Sequence, residues 1–408
     1  MVMGRDGSSA AVAARVIGEC SVALWGLSAF ERLRRQFAAV GVSDVAPAGS
    51  GPAPTGTAIL VRADWLYEQR TIADLLAHGP VVVSYEGTPV AAHVPAALVA
   101  DTVAFLEGAS ATAPDGVATT TVAALSRAFN ETLLRAEPPR PLPVHAGRRA
   151  ALERHLFDGS YKGITDIVTK WVWPAPARAV VRLCAGFGIS PNAVTFSSVA
   201  LVVAATWLFW HGYYWPGLVC GWLMTFFDTV DGKLARVTVQ ATSIGHALDK
   251  GTDLIHPPIW YIAWGYGLHA HGGSAGGEYF DVYVVILVGY IGGRLIEGGF
   301  NWMLGDFAIY TWQPLDAWVR LIIARRNPNL VLLTVALVAG RPDVGLYAVA
   351  AWTAVSTVYL AARLLQGIYL RLTRGPIESW LASITDNDER LSTRVFARRA
   401  LPAELRVG

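Results

Sequence analysis

Four aspartates carry the densest chemistry in the chain. Asp228 and Asp231 stand three residues apart and Asp249 and Asp253 four apart, in the run Asp228-Thr-Val-Asp231-Gly232-Lys-Leu-Ala235-Arg236, which is followed after eight residues by Gly245, Asp249 and Asp253. On a helix either spacing puts both members of a pair on one face. Two such helices packed together would bring four carboxylates into one pocket. Carboxylates that close stay ionised only beside cations. Hard oxygen donors of this kind suit Mg²⁺ or Mn²⁺, which bridge carboxylates to substrate phosphates. Arg236 adds a guanidinium fit for a forked contact with a diphosphate. Gly232, Ala235 and Gly245 either let two helices approach closely or leave room for a bulky ligand to reach the metals.

The elements that must position these residues are long and apolar. Of 408 residues, 53% are hydrophobic and 16% charged, against about 25% charged in ordinary soluble domains. Part of the chain is therefore expected to be solvated by lipid. Six apolar segments, at about 193–211, 214–236, 244–267, 279–300, 329–341 and 345–370, approach the length of roughly 20 helical residues that crosses a hydrocarbon core. Basic residues fix their orientation. Lys233 and Arg236 lie between segments two and three, Arg320, Arg325 and Arg326 between four and five, and Arg371 and Arg374 after segment six, whereas the opposite loops carry almost none. Both termini are thus expected in the cytoplasm, and the acids fall at the cytoplasmic face, where ionisable residues near lipid point to function.

Upstream, residues 1–136 read as a soluble α/β domain. Arg15 and Glu19 interrupt the first apolar stretch, which argues against a signal peptide. Thr57–Arg62 and Val81–Tyr85 are expected strands, and Ser28–Val40 and Ala96–Leu106 expected helices. Pro138, Pro139, Pro141 and Pro143 suggest a linker over 137–145. Residues 146–190 interleave Trp171 and Trp173 with Lys162, Lys170, Arg178 and Arg182, as in an amphipathic helix lying in the headgroup layer or one packed on the soluble domain. Residues 381–408 read as a cytoplasmic tail. The net charge of +2 excludes a basic nucleic-acid binder. Cys20, Cys184 and Cys220 lack the spacing of a zinc site or disulfide framework.

The acidic run resembles the signature of the CDP-alcohol phosphotransferase family, D-x-x-D-G-x-x-A-R-x8-G-x3-D-x3-D, at every fixed position. Pro191-Asn192 with Thr195 is similar to the Pro-Asn-x-x-Thr start of that family's first span. The resemblance covers about residues 150–380 and implies an integral-membrane transferase that moves a substituted phosphate from a CDP-alcohol to an acceptor hydroxyl, releasing CMP. It further implies that Asp228, Asp231, Asp249 and Asp253 hold divalent metal, that Asp253 is also the base, and that Asn192, Gly232, Ala235, Arg236 and Gly245 line the CDP site.

The layout, with Asp158-Gly159 ahead of the helices, resembles the bifunctional inositol-phosphate cytidylyltransferase and di-inositol-phosphate phosphate synthase subgroup. No Gly-rich basic loop for a triphosphate precedes Gly26, however. The N-terminal domain is therefore expected to be degenerate, with Asp64 a helix cap or a remnant ligand and Gly87-Thr88-Pro89 a turn. Arg294 is a candidate for an anionic acceptor, with an i,i+3 pair to Glu297 as the structural alternative. His246 and Lys250 read as snorkelling or capping residues, and Asp316, Arg320 and Arg326 as the solvated face of an elbow helix. The expected fold is a bundle of six transmembrane helices over 191–380, with the N-terminal α/β domain, among membrane lipid and as a homodimer. A membrane transporter or proton pathway built on the acids and a noncatalytic membrane scaffold are the competing functions.

Overall fold

The computed structural model describes residues 12–240, 243–270, 279–305, 307–385, 387–398 and 401–405, excluding the side chains of Ser243, Ile244, residues 246–250, Ala270 and Ala403. The chain divides into two units. The first comprises residues 1–130, 137–156 and 400–408, and the second residues 131–136 and 157–399.

The first unit is built on a six-stranded mixed sheet of order β2-β1-β3-β6-β5-β7, made from β1 (Val12–Ile17), β2 (Val45–Pro47), β3 (Thr57–Arg62), β5 (Val81–Tyr85), β6 (Thr88–Pro95) and β7 (Ala118–Thr121). A two-residue strand, β4 (Trp65–Leu66), lies outside it. Strand β3 shows why both faces are covered. Ile59 and Val61 pack with Leu33, Phe37, Ile72 and Leu75 from α1 (Ala29–Ala38) and α2 (Gln69–Ala77), while Ala58 and Leu60 pack with Leu106 of α3 (Val99–Leu106). Period-two alternation thus feeds two cores. Ser28 caps α1 by accepting from the Glu31 amide at 3.2 Å. Glu86 and Gly87 both have positive φ, 50° and 79°, which gives the β5–β6 hairpin its tight turn. A short helix, α4 (Val122–Leu125), follows β7.

Three expectations change here. The proline-rich stretch is not a linker: Leu142–Pro143 pairs antiparallel with β4, and Leu142 and Val144 are buried with Leu24, Leu66 and Leu152. Prolines fit such an edge because they lack the ladder N–H. Asp64 caps no helix; it pairs with Arg62 at 2.7 and 3.0 Å, and Glu68 holds the N-cap of α2. The C-terminal region is not a free tail, since Trp380, Leu381 and Phe396 are buried, Ser379 donates to the Thr311 carbonyl at 2.6 Å, and Leu405 joins the core around Leu24.

The second unit is helical. All six apolar segments are helices: α7 (Pro191–Trp210), α8 (Tyr214–Val237), α9 (Ser243–Ala270), α10 (Phe280–Leu304), α12 (Arg326–Val338) and α13 (Pro342–Arg374). Two of them, α7 and α13, are long and apolar enough by length and composition to cross a membrane, at mean hydropathies of 1.8 and 1.5. Helix α12 has 13 residues and reaches about 20 Å, short of a roughly 30 Å hydrocarbon core. The region of the expected single interfacial helix is broken into α5 (Arg149–Gly159), a π turn over Val168–Val172 and α6 (Pro174–Gly186). Pro174 removes an N–H donor and starts the new helix. A short helix, α11 (Pro314–Val319), precedes α12. The large exposed apolar residues described all fall between Ile167 and Leu391, among them Trp207, Val288, Leu295, Trp302 and Val358. Apolar surface on that scale requires a covering.

Candidate active site

The site forms where the C-terminal half of α8 and the N-terminal half of α9 meet α7 and the start of α12. Asp228 and Asp231 occupy one face of α8 because they are three residues apart. Asp231 is buried at 6% exposure, and its Oδ2 accepts the Thr195 hydroxyl of α7 at 2.7 Å. Ser198 of α7 donates to the Met224 carbonyl of α8 at 3.2 Å, holding the same two helices together one turn further on. The Pro-Asn-x-x-Thr motif thus meets the acidic motif through Thr195, with Asn192 half-buried in the first turn of α7.

Asp228 and Asp253 converge on one guanidinium. Arg326, the first residue of α12, donates Nη2 to Asp228 Oδ2 and Nη1 to Asp253 Oδ1, each at 2.5 Å. One cation therefore neutralises a carboxylate from each half of the motif. The expectation of a solvated elbow face is overturned for all three residues it named. Arg326 holds the acids, Asp316 is 1% exposed in a bidentate pair with Arg363 at 2.6 and 2.7 Å, and Arg320 is half-buried beside the Tyr310 ring. The adjacent Arg325 pairs with Glu297, which also accepts the Tyr310 hydroxyl at 2.6 Å. Arg294 approaches Glu297 only to 3.8 Å and is one-third exposed, so the i,i+3 pair leaves its guanidinium accessible.

Gly232 illustrates how the small residues serve. A Cβ built there would meet only Arg236 Nη1, at 3.6 Å, whereas one at Gly217 would strike the Phe209 ring at 2.5 Å. Gly217 is a packing glycine, while Gly232 faces open space. Ala235 is half-buried and Arg236 exposed on the next turn. Arg236 donates to the Ser160 and Gly232 carbonyls at 3.2 and 3.3 Å. Lys233, a variable position of the signature, is buried with its ammonium on the Ser160 carbonyl at 3.2 Å and 3.8 Å from the Tyr161 ring centre. In the preceding segment Lys170 donates to the Gly163 carbonyl at 2.7 Å, and burial, with the nearby Arg135 charge, pushes its ammonium down to about 8.

The backbone of α9 carries Gly245, Asp249 and Asp253. The side chains of Asp249, His246 and Lys250 lie outside the described residues. Among the described residues there is no group of three or more potential metal ligands. The donor chemistry nevertheless fits a hard divalent ion: Asp228, Asp231 and Asp253 offer carboxylate oxygens, and two of them already share a cation.

Residues 188–296 match the family model described as CDP-alcohol phosphatidyltransferase. The matched region contains every aspartate of the motif and Thr195. The chain is also 36% identical over 87 residues to the phosphatidylinositol phosphate synthase of Mycobacteroides abscessus, a match that covers 20% of this chain and 40% of that protein. The chain thus spans less than half the length of the curated relative it matches.

Proposed function

We propose that the protein is an integral-membrane transferase that moves a substituted phosphate group from a CDP-alcohol to an acceptor hydroxyl and releases CMP. The observation that carries this reading is the complete acidic signature inside the match to the family model, with Asp228 and Asp253 drawn to the one guanidinium of Arg326. In this reading Asp228, Asp231, Asp249 and Asp253 hold Mg²⁺ or Mn²⁺, and Asn192, Gly232, Ala235, Arg236 and Gly245 line the CDP site. Bound metal would supply Lewis-acid charge neutralisation at the diphosphate. Asp253 takes the proton of the acceptor hydroxyl, whose oxygen forms a bond to the phosphorus bearing the alcohol. The bond from that phosphorus to the CMP oxygen breaks, and CMP leaves with the electron pair. Most of the acceleration then comes from positioning and preorganised charge.

The exposed apolar faces of the second unit support a membrane setting in which the six helices span and both termini are cytoplasmic. A groove of about 810 Å³ between α7 and α9, lined by Val199, Val203, Trp207, Ile255 and Ile259, supports a lipid component among the substrates. Arg294 is the candidate contact for an anionic acceptor, in keeping with the phosphorylated product named for the relative. The N-terminal unit is read as degenerate for nucleotidyl transfer. Assay of the purified chain with a panel of CDP-alcohols, Mg²⁺ or Mn²⁺ and polyol acceptors tests the proposal. Metal-dependent CMP release lost in Asp228→Asn is expected; no CMP release from any pair would instead leave a silent scaffold or a proton pathway.

A further inference from the structure

Helix α9 contains two consecutive prolines, Pro257 and Pro258, in its interior. Each lacks an N–H, so the carbonyls four residues earlier lose their helical partners. Those carbonyls belong to Asp253 and Leu254. The break therefore falls on the residue read above as the base. A buried carbonyl left unbonded is costly, and here one side chain meets both. Tyr290 of α10 shares its one hydroxyl proton between the Asp253 carbonyl at 3.0 Å and the Leu254 carbonyl at 3.1 Å. On its other side Tyr290 receives Arg294 Nη2 at 3.4 Å, with the guanidinium 5.3 Å from the ring centre.

We propose that Tyr290 is a positioning residue whose single hydroxyl proton, shared between the two carbonyls that Pro257 and Pro258 leave without helical partners, fixes the main chain of Asp253 and couples that main chain to Arg294. The inference rests on Asp253 acting in the transfer proposed above and adds a residue outside the acidic signature. With α9 lacking its own donors at this turn, the peptide of Asp253 is free to tilt unless α10 holds it. A base displaced by a fraction of an ångström still binds substrate but loses rate. Arg294 shares the same hydroxyl, so a ligand that draws the guanidinium away changes the electron demand on the oxygen that holds Asp253.

The test compares full-length wild type, Tyr290→Phe, and Tyr290→Phe combined with Pro257→Ala and Pro258→Ala. Phenylalanine keeps the ring and deletes the hydroxyl, while the alanines return N–H donors to the Asp253 and Leu254 carbonyls. Tyr290→Phe is expected to lower kcat by about tenfold or more, with the KM for the CDP-alcohol within about twofold of wild type. The combined variant is expected to recover most of that loss, which a merely structural role for Tyr290 at α10 would not allow. Hydrogen exchange of the Gly251–Trp264 peptide gives a readout independent of turnover, faster in Tyr290→Phe and slowed again in the combined variant. Unchanged kcat in Tyr290→Phe, or no recovery in the combined variant, overturns the inference. Unchanged exchange overturns it whether or not CMP is released. Absence of CMP release in wild type ends the transferase reading on its own, with exchange still reporting whether Tyr290 holds α9.

Discussion

Arg326 and Asp228, 98 residues apart in the chain, meet at 2.5 Å through Nη2 and Oδ2. The same guanidinium reaches Asp253, so an internal cation stands between the carboxylates that the motif assigns to metal. If Asp228 and Asp253 hold metal as proposed, guanidinium and divalent ion compete for the same oxygens. Replacing Arg326 with Met is expected to tighten Mn²⁺ binding by about tenfold, roughly 1.4 kcal/mol, as followed by the loss of the free Mn²⁺ electron paramagnetic resonance signal. Weaker or unchanged Mn²⁺ binding would show that the arginine and the metal do not share ligands.

The two halves of the motif are expected to fail differently. Asp228→Asn should abolish CMP release together with metal-dependent nucleotide binding. Asp253→Asn should largely spare that binding, because Asp228, Asp231 and Asp249 remain to hold metal, and remove turnover, because the proton acceptor is lost. Isothermal titration with a CDP-alcohol alongside CMP assays separates the cases. Near-normal release by either variant refutes the assignment.

At the acceptor side, phosphorylated polyols should outperform neutral ones. Arg294→Ala is expected to raise the apparent KM for the acceptor by about tenfold, with little change in that for the CDP-alcohol. Equal use of both acceptor types, unaffected by the substitution, would count against an anionic acceptor.

The N-terminal unit should not make a CDP-alcohol from CTP. After β1 the loop bends inward: the Trp25 indole donates to the Glu153 carbonyl at 2.9 Å, Arg32 donates to the Leu24 carbonyl at 2.9 Å, and the cavity lined by Leu33, Gln36, Trp65 and Tyr67 holds about 10 Å³. That is room for a single water. Pyrophosphate release from CTP and a phosphorylated polyol would overturn this expectation.

In α1 the hydrogen bond from Arg34, with Arg35 adding to it, pulls the Glu31 carboxyl down to about 2. Its folded value lies below the unfolded one, so its contribution is present above about 4.5 and is lost as pH falls toward 2. The group is half-buried at the surface and screened by solvent, which keeps the effect to about 1 kcal/mol or less. Hydrogen exchange of the Ala29–Ala38 amides, corrected for intrinsic rates, should distinguish wild type from Glu31→Gln at pH 6 and not near pH 2. An equal difference at both pH values would refute it.

The acids were legible because i,i+3 and i,i+4 spacings are local, and the six helices because apolar runs of their length have few other folds. Thr195 was legible only as part of a motif; its bond to Asp231 is a tertiary fact. Arg326 was missed because Arg325 and Arg326 sit in a basic run whose ordinary fate is solvent, and nothing local marks that α12 begins beside α8. Tyr290 was invisible for a related reason. The two prolines announce unbonded carbonyls on α9, yet which side chain answers them depends on how α10 packs. The proline-rich stretch and the last thirty residues misled in the opposite direction, since composition resembling a linker or tail concealed Leu142, Val144, Trp380 and Phe396, whose burial decides their place.

Leu405 closes the small core made by Leu24, Leu66, Leu142 and Val144, so the first unit draws on segments that precede and follow the helices of the second in the sequence. At a synthesis rate of roughly 5–20 residues per second, the ribosome needs on the order of 10–50 s to pass from residue 156 to residue 405. During that interval the sheet exists without its last apolar contact while every helix of the second unit is emerging. Order of birth is therefore opposite to order of completion: the sheet is made before the helices of the second unit and sealed after them.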